Sequence, residues 1–192
     1  MKNRNAYFPL FINLSEYKVL VVGAGTIALR RIKILLHFTE KIAVAAPAFH
    51  PEIEQLIAEG RVRAAGKRFE ENMLQGVRMV LACTDDHSCN AEICQKARRR
   101  GILANNCSSQ EDCDFFFPSI VKQGDLVIGI NAGGTHHKKV KQTREKIEQA
   151  IGGNDADYNR NPPAHDVNDY MLGEKYNLPC RQRLFQVVWW QR

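Results

Sequence analysis

A strand, a glycine-rich turn and a helix follow one another without a break between residues 17 and 36, and no other segment constrains the fold as strongly. The apolar, β-branched run Val19–Val22 ends at Gly23-Ala24-Gly25. The positions at 27, 31, 34 and 35 then recur at helical spacing as far as Leu36. This order predicts the first βα unit of a dinucleotide-binding fold.

The turn has the spacing G-x-G-x-x-A, and each small residue has a physical role. Gly23 permits the tight turn, Gly25 lets backbone amides approach a pyrophosphate, and Ala28 lets the helix pack closely on the strand. The first helical residues, Thr26 and Ile27, present unpaired N–H groups to an anion. The turn therefore predicts a nucleotide site, and the alternative is a purely structural βα turn.

Strands and helices alternate up to about residue 106, which predicts a parallel sheet with right-handed crossovers. Ligands of such sheets bind outside the carboxyl ends of the strands. The segments expected at that edge are Gly23–Gly25, Ala46–Ala48, Thr84–Asp86 and Asn105–Ser109. The predicted cofactor-binding residues are Gly23, Gly25, Thr26, Ile27, Ala46, Pro47, Ala48, Thr84 and Asp85.

Two points at this edge stay open. The second strand ends Ala45-Ala46-Pro47 without a carboxylate for a ribose hydroxyl, so the sequence does not choose between NAD and NADP. Asp85 and Asp86 are expected either to contact the cofactor or to cap the helix that follows them, and the two roles are compatible.

Composition favours a protein of the cytoplasm. The 192 residues suffice for one domain plus a small addition, and the formal charge of +6 is a modest indication of an anionic partner. The six cysteines form no C-x-x-C pair, and no signal peptide precedes them, so reduced thiols are expected. No apolar run reaches the roughly 20 residues of a membrane span.

The pattern changes at both ends of the predicted sheet. Tyr7–Leu14 is expected to form a short strand or a cover on the sheet edge. Residues 115–121 and 126–130 predict a two-stranded hairpin, followed by a helix over 136–150. Because an isolated hairpin is marginal in water, a second copy of the chain is the expected partner of this element.

These patterns divide the chain into three parts. Residues 1–113 are predicted to form an NAD-binding, Rossmann-like α/β domain, and residues 114–151 a small β-hairpin plus helix for dimerisation. Residues 152–192 are a polar tail or a small helical addition.

The motifs, in their order and spacing over about residues 7–150, resemble those of the precorrin-2 dehydrogenase and sirohydrochlorin ferrochelatase family, the N-terminal part of siroheme synthase. The motifs are Phe8-Pro-Leu-Phe11, Val22-Gly-Ala-Gly-Thr-Ile-Ala-Leu-Arg-Arg31, Ala82-Cys-Thr-Asp-Asp86 with Asn90, Asp114-Phe-Phe-Phe-Pro-Ser-Ile120, and Ile130-Asn-Ala-Gly-Gly-Thr135 with Arg144-Glu-Lys146.

This resemblance implies an NAD-dependent oxidoreductase of siroheme biosynthesis. In the family, NAD+ accepts hydride from precorrin-2 to give sirohydrochlorin, and some members then insert Fe2+ in the same cleft. The resemblance also implies a homodimer whose cleft takes the tetrapyrrole. The chemistry needs a base for one proton and cations for the many carboxylates of the substrate.

The chain departs from the family at the acidic residue that is thought to serve both activities. Ser108 stands at that position in Asn105-Asn-Cys-Ser108, so the resemblance places the catalytic position there and puts ferrochelation in doubt. A serine without a partner base does not take a proton at ordinary pH. Asp112 and Asp114 are the candidate replacements, together with Glu111, if their loop folds inward.

A second departure lies in Gly133-Gly-Thr-His-His137, where histidines replace the family's Ser and Pro. Imidazole binds transition metals, so His136 and His137 are candidate metal ligands, and surface histidines are the alternative. The predicted substrate-binding residues are Asn105, Thr135, His136, His137 and Lys138. No recognition motif accompanies the basic run, so nucleic acid is not an expected partner.

Two other functions compete with the dehydrogenase. One is a diverged relative without catalysis that binds a tetrapyrrole, a metal or a nucleotide as carrier or sensor, with Ser108 marking the lost chemistry. The other is a Rossmann reductase acting on another substrate, against which the segment Phe115–Thr135 speaks.

Overall fold

The structure, a computed structural model, describes residues 7–134 and 136–151. Five strands and three helices form the first part of the chain, and a 3-10 turn at Glu71–Leu74 precedes the fourth strand. In chain order they are β1 (Lys18–Val22), α1 (Thr26–Leu35), β2 (Ile42–Ala45), α2 (Pro51–Ala58), β3 (Arg63–Gly66), β4 (Val77–Ala82), α3 (His87–Arg99) and β5 (Leu103–Asn106). The expected alternation of strands and helices is confirmed.

The five strands are parallel and lie in the order β3-β2-β1-β4-β5. Alternate side chains of each strand point to opposite faces of the sheet. Val19 and Val21 of β1 belong to one buried cluster with Ile32 of α1 and Ile53 of α2. The opposite face buries Leu20, Val22 and the α3 residues Ile93, Cys94 and Ala97. Helices thus cover both faces, which is the predicted Rossmann-like α/β fold.

A small antiparallel sheet follows, built from β6 (Ser119–Gln123) and β7 (Leu126–Ile130), and α4 (His137–Ala150) comes after it. The predicted hairpin is confirmed, although its first strand is shorter than expected. Pro118 has no N–H group to donate, and β6 begins directly after it. Phe115 and Phe117 pack instead against the cluster that contains α1 and α2.

The segment Tyr7–Leu14 is not a strand, so that expectation was wrong, and its exposed side chains give little of the alternative cover on the sheet edge. Its apolar side chains lie mostly in solvent, with Phe8 85% and Phe11 72% exposed. Only Leu14 is buried, while the Tyr7 ring lies 4.2 Å from that of Phe116. A single anchoring side chain fixes the end of this segment without pairing it to the sheet.

No helix among the described residues is long and apolar enough to cross a membrane. The predicted tail, 152–192, lies outside the described residues.

Candidate nucleotide site and active site

The strand order reverses direction between β1 and β4. From β1 the chain proceeds outward through β2 and β3, and it then returns to place β4 and β5 on the other side. In open parallel sheets a crevice forms at such a switch point, outside the carboxyl ends of the two central strands. The residues there are Gly23–Gly25 after β1 and Cys83–Asp86 after β4.

Gly23 lies in direct contact with the end of β4. Its φ of +98° is a backbone conformation that residues with a side chain rarely adopt. A Cβ atom at this position would lie 2.4 Å from the carbonyl O of Cys83. The Gly23 N–H also donates to the carbonyl of Ala45 at 2.8 Å, so the turn is fastened between β2 and β4.

Gly25 leaves the N-terminus of α1 open. It is the N-cap residue of α1, in extended conformation, and no side chain caps this helix. A Cβ atom at Gly25 would find no atom within 4 Å, and Thr26 and Ile27 beside it are exposed. The helices α2 and α3 are instead capped by the side chains of His50 and Asp86. The open N-terminus of α1 fits an anion such as a pyrophosphate.

The segment after β2 lies beside this turn. The His50 N–H donates to the carbonyl of Ala24 at 2.9 Å, and the Ala46 N–H donates to the carbonyl of Gly66 at 3.0 Å. Ala46 is buried, whereas Pro47 and Ala48 are exposed. Pro47 and Ala48 therefore provide an exposed surface for a ribose, but neither residue has a carboxylate to accept from its hydroxyls.

Asn90 of α3 joins the ends of β4 and β5. Its side chain is fully buried, and its Oδ1 accepts from the N–H and the hydroxyl of Thr84, at 3.1 and 2.6 Å. Its Nδ2 donates to the Thr84 carbonyl and to Oγ of Ser108, both at 3.0 Å. Two predicted site residues are thus held together by one amide that is fully hydrogen-bonded.

Ser108 and Asp112 are also brought together. The N–H and Oγ of Ser108 donate to Oδ1 of Asn106, at 2.9 and 2.7 Å. Nδ2 of the same Asn106 lies 3.4 Å from Oδ2 of Asp112. Asn106 therefore links Ser108 to the loop that carries Asp112, and a catalytic role of Asp112 stays a prediction.

Asp114 is placed elsewhere. Its carboxylate accepts from Nε of Arg98 at 2.8 Å and from the backbone N–H of Ala104 at 2.9 Å. These contacts tie the end of α3 to the outer side of β5. This geometry argues against the predicted catalytic role of Asp114 and favours a structural one.

Asp85 and Asp86 have different environments. Oδ1 of Asp86 accepts from the N–H groups of Ser88 and Cys89, at 2.9 and 3.0 Å, which confirms the helix-capping role. Hydrogen bonds from the Ser88 hydroxyl and the Cys89 N–H lower the pKa of the Asp86 carboxyl. Asp85 is exposed at the edge of the crevice and does not cap α3.

Asn105 is committed to contacts within the protein. It is only 3% exposed, its Oδ1 accepts from the Arg31 guanidinium, and its Nδ2 donates to the Phe115 carbonyl at 2.7 Å. The same guanidinium lies 4.9 Å from the centre of the Phe117 ring. This burial argues against the predicted contact between Asn105 and the substrate, and it shows a contact with Arg31 that the sequence did not reveal.

A second loop approaches Ser108 from the small sheet. Nε2 of Gln110 donates to the carbonyl of Gly134 at 2.8 Å, just before α4. His136, His137 and Lys138 at the start of α4 are exposed. Thr135 lies outside the described residues. Within 7–134 and 136–151 no three His, Cys, Asp or Glu side chains are grouped to hold a metal, so ligation by His136 and His137 stays a prediction.

Comparison with known proteins agrees with this geometry. A sequence profile of the family described as "Putative NAD(P)-binding" matches residues 10–119. The chain therefore belongs to this NAD(P)-binding family.

Two related proteins of known class are siroheme synthases. Siroheme synthase of Sodalis glossinidius is 39% identical over 145 residues, which are 76% of this chain and 31% of the relative. Siroheme synthase 1 of Serratia proteamaculans is 37% identical over 145 residues, 76% of this chain and 30% of that protein. The chain thus spans less than a third of the curated relatives it matches.

A solved structure agrees with the family match and with the similarity to siroheme synthases. The structure titled "SirC, precorrin-2 dehydrogenase" superposes with a TM-score of 0.63 and 29% identity, over 75% of this chain and 70% of that one. Together these similarities confirm the predicted resemblance to the precorrin-2 dehydrogenase family.

Proposed function

We propose that this chain is a cytoplasmic enzyme that dehydrogenates precorrin-2 to sirohydrochlorin with NAD+ as the oxidant. The observation that carries the proposal is the open N-terminus of α1 at the strand-order switch point. A helix end that exposes its amides beside a glycine turn suits a dinucleotide pyrophosphate. The names of the relatives supply the substrate class.

The cofactor site would be formed by three segments of the carboxyl edge. The amides around Gly25, Thr26 and Ile27 would bind the pyrophosphate, and the surface of Pro47 and Ala48, beside buried Ala46, would contact a ribose. Thr84 and Asp85 would flank the nicotinamide half from the end of β4. Bound NAD+ would supply the hydride acceptor of the reaction.

The chain must also remove one proton from the substrate. The hydroxyl of Ser108 is an acceptor for Asn90 and a donor to Asn106, so it is neutral and already paired. Asp112 is the carboxylate that contacts the same Asn106, and we assign the proton to it. Ser108 then positions this loop against α3 through Asn90.

The start of α4 suits the carboxylates of a tetrapyrrole. Lys138 is exposed there beside His136 and His137, and the Gln110 bond to Gly134 places this end of α4 near the Ser108 loop. Cations bind carboxylates through charge-assisted hydrogen bonds. Lys138 and the two histidines are therefore proposed to bind the substrate, and Thr135 is added to them on the family resemblance alone.

A second copy of the chain is proposed to cover the hairpin and α4. No described residue of α4 is buried, and Val121 is the only buried residue of β6 and β7. A hairpin and a helix with so little core gain stability by packing on a partner. Light scattering should then give twice the chain mass of 21.8 kDa.

Anaerobic turnover tests the proposed activity. The full chain is mixed with precorrin-2 and NAD+, and absorbance follows NADH and sirohydrochlorin. We expect both products in equal amounts from the unmodified chain, because positioning and the cofactor carry most of the hydride step. Tight tetrapyrrole binding without turnover would instead indicate a carrier or a sensor.

The variant Ser108→Asp tests the role of the missing carboxylate. A carboxylate near Asn90 should raise the dehydrogenation rate by no more than about 10-fold, since Asp112 already serves the step. Fe2+ insertion is expected only in this variant. Ser109→Asp is the matched control, because it adds the same charge one residue away. Dehydrogenation that appears only in Ser108→Asp, and not in the unmodified chain, would contradict the assignment of the proton to Asp112.

A further inference from the structure

The ends of β4 and β5 carry two cysteines that the proposed reaction does not use. Ala82 and Asn106 are aligned partners in the two parallel strands, and Cys83 and Cys107 each come one residue later. The Cys107 N–H donates to the Ala82 carbonyl at 2.9 Å, so the pairing continues to this point. The Cα atoms of such neighbours are separated by about 5 Å, which suits a disulfide.

The two side chains point at each other. Their Sγ atoms lie 2.8 Å apart, and a disulfide bond of about 2.04 Å needs them to approach by less than about 1 Å. Both cysteines are free, and both are partly exposed at the edge of the crevice. We propose that Cys83 and Cys107 form a redox-active dithiol that closes reversibly to a disulfide beside the nucleotide turn.

The surroundings assign different roles to the two thiols. The contact with the Cys83 sulfur lowers the pKa of Cys107, and the positive charge of Arg31 lowers it further, although burial acts in the opposite direction. The same contact and burial raise the pKa of Cys83 well above its usual value. Cys107 is therefore the thiol that ionises first and attacks, and Cys83 resolves the intermediate.

The oxidant is a low-molecular-weight disulfide, RSSR. The Cys107 thiolate attacks one of its sulfurs, the S–S bond of RSSR breaks, and one RS⁻ leaves. Sγ of Cys83 then attacks Sγ of Cys107 in the mixed disulfide and displaces the second RS⁻. The protons of the two thiols end on two RSH molecules, and two electrons pass from the cysteines to RSSR.

The closed form would join β4 to β5 next to the nucleotide turn. Gly23 touches the carbonyl of Cys83, and Cys107 neighbours Asn105, which holds Arg31. The dithiol is independent of the proposed dehydrogenation, because its formation can be measured without substrate or cofactor. A negative result in the disulfide experiment and a negative result in the turnover experiment would therefore have different causes.

Disulfide mapping of the reduced full chain tests the proposal. The protein is equilibrated with graded ratios of oxidised and reduced glutathione, quenched with acid, alkylated and digested for mass spectrometry. We expect a linked peptide that joins Cys83 to Cys107, the loss of two free thiols per chain, and full reversal by excess reduced glutathione. The fraction closed should rise with the ratio of oxidised to reduced glutathione.

Variants and neighbouring thiols provide the controls. Cys83→Ser and Cys107→Ser should each abolish the link, whereas Cys113→Ser should leave it unchanged, although Cys113 lies on the same loop. In the reduced unmodified chain, alkylation should reach Cys107 at least about 10-fold faster than Cys113 at pH 7, because burial raises the pKa of Cys113. Full alkylation of both thiols at every ratio, or a link from Cys113 instead, would overturn the proposal.

Discussion

Replacement of Gly23 by alanine is expected to lower the free energy of unfolding by more than about 3 kcal/mol. Two costs combine at this position. The backbone has a φ of +98°, which an alanine adopts only with strain, and the new Cβ would lie 2.4 Å from the backbone oxygen of Cys83. Neither β1 nor β4 can yield easily, because both are central strands of the sheet. Chemical denaturation measures the loss.

Gly60→Ala is the matched control for this effect. Gly60 also has a positive φ, +74°, but a Cβ atom there would meet no atom within 4 Å. Gly60→Ala should lower the free energy of unfolding by only about 1 kcal/mol, because only the backbone conformation is strained. Equal losses for the two variants would mean that the contact between Gly23 and the end of β4 is not tight.

Replacement of Asn90 by alanine is expected to lower the free energy of unfolding by about 2–4 kcal/mol. The side chain is fully buried, and its loss leaves the N–H and carbonyl of the half-buried Thr84 without their hydrogen-bond partner. It also frees the Ser108 loop from α3. Urea denaturation measures the cost, and faster proteolysis between Ser108 and Asp112 should accompany it.

An asparagine outside the site serves as the control. It separates the stability lost with the hydrogen bonds of Asn90 from the general cost of replacing an asparagine by alanine. Asn72 lies on the 3-10 turn, and its side chain donates to the exposed carboxylate of Glu70, at 3.4 Å. Asn72→Ala should change stability by no more than about 0.5 kcal/mol. A loss at Asn90 as small as the one at Asn72 would contradict the role given to its four hydrogen bonds.

The sheet could be predicted because its signals are local. The apolar run of β1 and the spacing of α1 each fit within about ten residues, and both elements were placed to within two residues. Asp86 was correctly placed as a helix cap for the same reason. The prediction of a strand at Tyr7–Leu14 was wrong. An apolar run indicates that its burial would be favourable, but it does not indicate which surface the run would pack against.

The contacts of the site could be predicted only in part. The order of the strands brings the right segments to one edge, but the links between Asn90 and Ser108 and between Arg31 and Asn105 join residues far apart in the chain. Asp114 shows the limit, since nothing in its loop indicates that Arg98 would take its carboxylate. Cys83 and Cys107 did leave a signal, because each directly follows a strand end.

Calorimetric titration of the full chain with NAD+ tests the central claim most directly. The open N-terminus of α1 predicts saturable binding to one site per chain. Gly25→Ala should weaken that binding at least about 10-fold at an unchanged melting temperature, because its Cβ meets no protein atom and enters the space that the pyrophosphate needs. Equal binding by the two proteins, or none by the unmodified chain, would contradict the nucleotide site proposed here.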